Sequence, residues 1–159
     1  MDSTAPISYK DALRKIEHFC AYQERCHQEV EAKLYSYKLS SHEVAEAIAY
    51  LIANNYLNEE RFACLFAISK FHQKNWGKNR ISQELKQRKI SSYLITKGLK
   101  EIPAHEYSDS FELISRRFWD SLTEKNSLKK RKKFCDYLLR KGWESDWIYE
   151  KAMALEKEN

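Results

Sequence analysis

The side chains best placed for chemistry in this sequence are cations set among aromatic rings. In Lys70-Phe71-His72-Gln73-Lys74-Asn75-Trp76-Gly77-Lys78-Asn79-Arg80, lysines recur every four residues at 70, 74 and 78. A helix keeps such a row on one face for as long as it lasts. Gly77 is expected to end that helix as its C-cap, so that Lys78 and Arg80 open the next element. A helix N-terminus carrying Lys and Arg offers a phosphate or carboxylate both backbone N–H donors and positive charge. Lys129-Lys130-Arg131-Lys132-Lys133 supplies a second opening of this kind. Trp76 has two readings, burial between two helices or a platform for a stacked base. The basic rows also have two, a solvated helix face or a surface for a polyanion.

Catalytic patterns are weaker. His42-Glu43-Val44-Ala45-Glu46 has the spacing of H-E-x-x-H, but Glu stands where the second zinc-binding His is needed. His18, Cys20, Cys26 and His27 come closest to a metal-ligand spacing, yet on a helix Cys20 and Cys26 point to different faces. No C-x-x-C pair and no nucleophile–base signature stands out, and Glu59-Glu60 is accounted for by a helix N-terminus, where carboxylates favour the dipole. Gly77, Gly98 and Gly142 lie too far apart to spell a nucleotide-phosphate loop. The expectation is a binding protein rather than an enzyme, with no cofactor and no metal.

The charge is uneven. Residues 1–57 hold 6 Lys/Arg against 8 Asp/Glu, residues 58–105 hold 10 against 4, and residues 106–159 hold 12 against 11. The net +5 therefore belongs to the middle and the end of the chain. Concentrated positive charge points to a polyanion more than an even scatter would.

Helices must position these groups. The 159 residues include 3 Gly and 2 Pro, where average usage would give roughly 11 and 8, so a fold of many hairpins is excluded. Val44, Ile48, Leu51 and Ile52 form one apolar stripe; Phe62, Leu65, Phe66 and Ser69 a second; Ile81, Leu85 and Ile90 a third. Ser40 and Glu43 form a capping box, and Asn58 is an N-cap flanked by Leu57 and Phe62 as a staple pair. A unit also recurs at offsets of 51 and 53 residues. Its anchors are Val30, Ile81 and Phe134; Leu34, Leu85 and Leu138; Leu39, Ile90 and Trp143; Val44, Ile95 and Ile148. The fold class expected is all-α, an elongated tandem array of three three-helix modules at residues 8–55, 56–104 and 105–156, with Pro103 at the second junction. Leu39, Ile90 and Trp143 are expected to plug the angle before each third helix, and Gly98 to mark a close helix contact. Cys20, Cys26, Cys64 and Cys135 read as small reduced core residues. The longest uncharged run, Ala47 to Asn58, is too short to span a bilayer, and Met1-Asp2-Ser3-Thr4-Ala5-Pro6 shows no export signal, so no membrane and a cytoplasmic location are expected.

Asn55-Tyr56-Leu57-Asn58-Glu59-Glu60-Arg61-Phe62-Ala63 resembles the G-Y-L-[DN]-[DE]-x-R-F-A segment of RecX regulatory proteins. Ser69-Lys70, Lys74-Asn75-Trp76-Gly77-Lys78-Asn79-Arg80-Ile81 and Glu84-Leu85-Lys86-Gln87-Arg88-Lys89-Ile90-Ser91 resemble that family's S-R, K-G-x-G-x-x-R-I and E-L-x-x-K-G-I elements, in the same order. Three family glycines are replaced, by Asn55, Asn75 and Lys89; Asn tolerates the left-handed region, and Lys89 is the odder change. The resemblance implies an all-helical, non-catalytic protein that binds the RecA recombinase filament on single-stranded DNA and limits its extension, ATPase and strand exchange; a monomer is expected. Carried over, the matching positions are Arg61, Lys70, Lys74, Lys78, Arg80, Lys86 and Arg88. Lys89 and the run Lys129, Lys130, Arg131, Lys132 and Lys133 join them as candidate filament or DNA contacts. Arg61 also has a structural reading, pairing with an acid such as Glu84. The rival functions are a stand-alone nucleic-acid-binding helical protein and a protein-binding helical scaffold.

Overall fold

The computed structural model describes residues 6–158, so the Met1–Ala5 part of the stretch read for an export signal lies outside the described residues. Among those residues all regular structure is helical: α1 (Tyr9–Tyr22), α2 (His27–Ser36), α3 (Ser41–Ala53), α4 (Glu59–Lys74), α5 (Lys78–Gln87), α6 (Ser92–Lys100), α7 (Ala104–Ser121), α8 (Ser127–Lys141) and α9 (Ser145–Lys157). α1 packs on α2 and α3, α4 on α5 and chiefly on α6, and α7 on α8 and α9. The chain is an all-α array of three helix triplets.

Local signals set the helix starts. Ser40 accepts from Glu43 N at 3.2 Å while the Glu43 carboxylate accepts from Ser40 N at 3.0 Å, which completes the capping box. Asn58 Oδ1 accepts from Arg61 N at 3.0 Å, and Ser8, Ser91 and Asn126 cap α1, α6 and α8 in the same way. The repeat anchors Val30, Ile81, Phe134, Leu34, Leu85, Leu138, Val44, Ile95 and Ile148 are all buried. So are the plugs Leu39, Ile90 and Trp143. Each plug follows a residue in the left-handed region: Lys38 (φ 63°), Lys89 (φ 60°) and Gly142 (φ 93°). Asn55 and Asn75 also have positive φ, which Asn adopts at low cost.

Four expectations are corrected. The core face of α4 is Phe62, Ala63, Ala67 and Phe71, and Leu65 is 49% exposed, because small alanines rather than Leu65 and Phe66 meet the neighbouring helices. On α3, Val44, Ala47 and Leu51 face inward while Ile52 is exposed. The C-cap of α4 is Asn75 in the left-handed region, and Gly77 is instead the N-cap of α5 with an ordinary φ of −80°. Leu57 and Phe62 are both buried but in different cores, so they do not act as a staple pair.

The apolar interior falls into two clusters. One gathers Ile16, Val30, Leu34, Leu51 and Leu57 among α1–α3. The other runs without a break through α4–α9 and takes in Phe71, Leu85, Phe111, Phe134 and Trp143. Each such side chain contributes about 1.5–3 kcal/mol on burial. Cys26, the N-cap of α2, inserts into the second cluster. The four cysteines are free thiols, with Cys20, Cys26 and Cys135 buried. A Cβ on Gly98 would lie 2.8 Å from the Ala63 carbonyl oxygen, so this glycine lets α6 approach α4 closely.

Candidate nucleic-acid and filament interface

Two seams position the basic side chains. Between α1–α3 and α4–α6, Arg61 Nε donates to Glu24 Oε1 at 2.6 Å, and its NH1 and NH2 donate to Asn55 Oδ1 and the Asn55 carbonyl at 3.2 and 3.1 Å. The Glu59 carboxylate accepts from His27 N at 3.1 Å across the same seam. Arg61 is thus engaged inside the protein with Glu24, not Glu84; Glu84 serves Arg88 at 3.0 Å and Arg80 at 3.5 Å.

Between α4–α6 and α7–α9 the chain meets itself backbone to backbone. Gly77 N donates to the Lys141 carbonyl at 2.8 Å and Asn79 N to the Gly142 carbonyl at 2.9 Å. A Cβ on Gly77 would lie 2.4 Å from Gly142 O, and one on Gly142 would lie 2.2 Å from Arg80 Cβ. Trp143 Nε1 donates to the Asn75 carbonyl at 3.1 Å. The buried Tyr107 hydroxyl accepts from Lys78 N at 2.9 Å and donates to the Glu144 carboxylate at 2.8 Å. Burial, with Glu144 beside it, pushes the Tyr107 hydroxyl well above the usual phenol range, so it remains a donor.

On the surface of α4 and α5 the cations and rings alternate. Arg88 lies 4.9 Å from the Phe66 ring centre, Lys70 Nζ is 5.5 Å from both Phe66 and Trp76, and the Arg80 guanidinium is 4.5 Å from Trp76. Trp76 is half-buried, 6.3 Å from Phe66, and so combines packing with a cation-flanked ring. Lys78 sits over Tyr107 at 4.7 Å, while Lys74, Lys86 and Lys89 are exposed. Two basic residues outside the expected set join them: Arg140, whose carbonyl accepts from Arg80 NH1 at 2.9 Å, and Lys141, whose Nζ donates to the Lys74 carbonyl at 3.1 Å. The repeat carried a signal for Lys141, which stands 53 residues after Arg88.

The run at the start of α8 is less available than its sequence suggests. Arg131 pairs with Glu156, Lys132 with Asp136 at 2.7 Å and Lys133 with Glu124 at 3.1 Å, while Lys130 lies 4.2 Å from the Trp119 ring. The hydrogen bond from Lys133, then the Asn126 N–H, holds the Glu124 carboxyl below its ordinary range. Lys129 is exposed. Such exposed pairs are weak, because water screens them. Among the described residues no group of three His, Cys, Asp or Glu is placed to hold a metal, and no helix is long and apolar enough to cross a membrane.

Serial helix triplets with a cation-and-ring surface define a helical-repeat protein. Residues 58–99 match the family described as RecX, second three-helix domain. A Bacillus cytotoxicus protein named Regulatory protein RecX is 27% identical over 91% of this chain and 55% of its own length; one of the same name from Haemophilus influenzae is 29% identical over 85% of this chain and 88% of its own. The chain spans about half the length of the Bacillus cytotoxicus relative. The crystal structure of RecX from Lactobacillus salivarius superposes with a TM-score of 0.79 at 18% identity, over 95% of this chain and 97% of that one. The second triplet thus matches the second three-helix domain of RecX, and most of the chain is similar to proteins named Regulatory protein RecX.

Proposed function

We propose that this protein binds the RecA–single-stranded DNA filament and limits its extension, ATPase and strand exchange by occupancy, without catalysis of its own. The observation that carries this reading is the strip Arg88–Phe66–Lys70–Trp76–Arg80, continued over the second seam by Lys74, Arg140 and Lys141. Cations alternating with rings suit a single strand, whose phosphates take the charge and whose bases take the rings. Lys78, Lys86, Lys89 and the Lys129–Lys133 run extend the contact surface, and Arg61 acts within the first seam. The three triplets, divided at 8–55, 56–104 and 105–156, act as the modules that lie along the filament. The protein works as a monomer in the cytoplasm.

The test is recombinase ATPase on single-stranded DNA with and without this protein. Inhibition is expected. No inhibition and no change in filament length at saturating protein would overturn the reading. If six phosphates are neutralised, affinity falls with a log–log salt slope of about −4. Comparable binding to bare DNA with no effect on the recombinase would favour the stand-alone nucleic-acid-binding protein instead.

A further inference from the structure

α4 carries an apolar stripe at the edge of the core, where Phe66 packs by one side only. Leu65 is exposed and Phe66 half-buried, because Ala63 and Ala67 take the inward side. With Ser69 they form one wall of a cleft of about 350 Å³. The facing walls are Gln23, Glu24 and Glu29 from the corner between α1 and α2, with Lys70 and Arg88 at its edge. Phe66 is flanked by two cations, Lys70 at 5.5 Å and Arg88 at 4.9 Å. The acidic wall has acceptor capacity to spare at Glu29, whose carboxylate is a third exposed and comes no closer than 3.9 Å to Arg25 or Arg88.

We propose that this cleft takes one unstacked base of single-stranded DNA. The ring lies against Phe66 and Leu65, a neighbouring phosphate meets Lys70 and Arg88, and an amino-bearing edge faces the carboxylates. Guanine fits best, because its ring N–H and amino group can donate side by side to one carboxylate. Thymine presents carbonyl oxygens on either side of its single N–H and is repelled by the same wall. A partner arginine would also bring a flat face and donors, but it would add a cation beside Arg25, Arg61, Lys70 and Arg88, which already outnumber Glu24, Glu29 and Glu84. A nucleotide brings the negative charge that this balance calls for.

The inference rests on the DNA-binding reading and is tested so that the two fail separately. A fluorescently labelled oligodeoxythymidylate of about 15 nucleotides, long enough for one small single-strand-binding fold, is compared with copies carrying one central guanine or hypoxanthine. Anisotropy titration of the wild-type protein is expected to give at least about fivefold tighter binding for guanine than for thymine, the low end for a bidentate base contact. Hypoxanthine, which keeps the ring N–H and lacks the amino group, should fall between. Glu29→Gln should bring the guanine-to-thymine ratio close to one. Equal affinities for all three oligonucleotides would overturn the inference and leave the DNA reading intact. Binding to none would overturn the inference, while the filament reading stands or falls on the ATPase test. A Glu29→Gln protein that loses affinity for the recombinase, in a system with no guanine preference, would assign the cleft to a protein side chain and overturn the inference in that way.

Discussion

Between α1–α3 and α4–α6 the contacts are made by long charged side chains, led by Arg61 with Glu24; between α4–α6 and α7–α9 they are made by backbone groups and interlocked glycines. Ion pairs between side chains still a quarter to a third exposed can stretch, exchange for water and re-form. Two peptide strands in contact at Gly77 and Gly142 have one geometry only. The hydrophobic interior follows the same division, with a separate core in α1–α3 and a shared one through α4–α9. The last six helices are therefore expected to unfold as one unit, and α1–α3 to open by itself at lower cost.

The largest effect expected from this contrast is at Gly142. Alanine there would be strained at φ 93° and would press on Arg80, for a loss of about 3 kcal/mol in urea unfolding. A loss below about 1 kcal/mol would show that the second seam can slip as the first can. Tyr107→Phe should cost about 1–3 kcal/mol, because the Lys78 N–H and the Glu144 carboxylate each lose a partner in a buried place. Its signature would be faster amide exchange at Lys78 and no change in α1–α3. Arg61→Ala should cost least, about 1 kcal/mol, since the pair with Glu24 is partly solvated. Cys20 provides its readout. Burial pushes the Cys20 thiol up to about 11, so at pH 8 roughly one molecule in a thousand carries the thiolate and alkylation is slow. Arg61 itself favours the thiolate, so the faster alkylation expected in Arg61→Ala would report opening of the seam and not a shift of the thiol, and high salt should reproduce part of the gain. If neither speeds it, the first seam is not held by charge.

How much could be read in advance depended on the range of the cause. The starts of α3 and α4 were legible because Ser40, Glu43 and Asn58 act within three residues of themselves. The repeat anchors were legible because periodic burial leaves a periodic sequence. The inward face of α4 was not, because Ala63 and Ala67 look neutral in sequence and become core residues only when α6 approaches through Gly98. The cations at the site were legible by type, and their freedom was not. Arg61 is bound by an acid 37 residues away, and Lys133 and Arg131 are bound by Glu124 and Glu156 from other parts of the third triplet. Gly77 and Gly142 each read as turn punctuation, yet their shared role lies in a contact across 65 residues of chain.

That contact explains why the two seams differ. One repeat earlier in the chain, Cys26 corresponds to Gly77 and Lys89 to Gly142, in the same N-cap and left-handed corner positions. Where both places are glycine, two backbones can touch, and hydrogen bonds lock the triplets together. Where they are cysteine and lysine, side chains stand between the strands. Cys26 fills the space as a hydrophobic wedge, and the joining falls to Arg61 and its acids. Two positions per repeat thus behave as a key and a keyhole, and a glycine at only one of them would leave the joint unlocked.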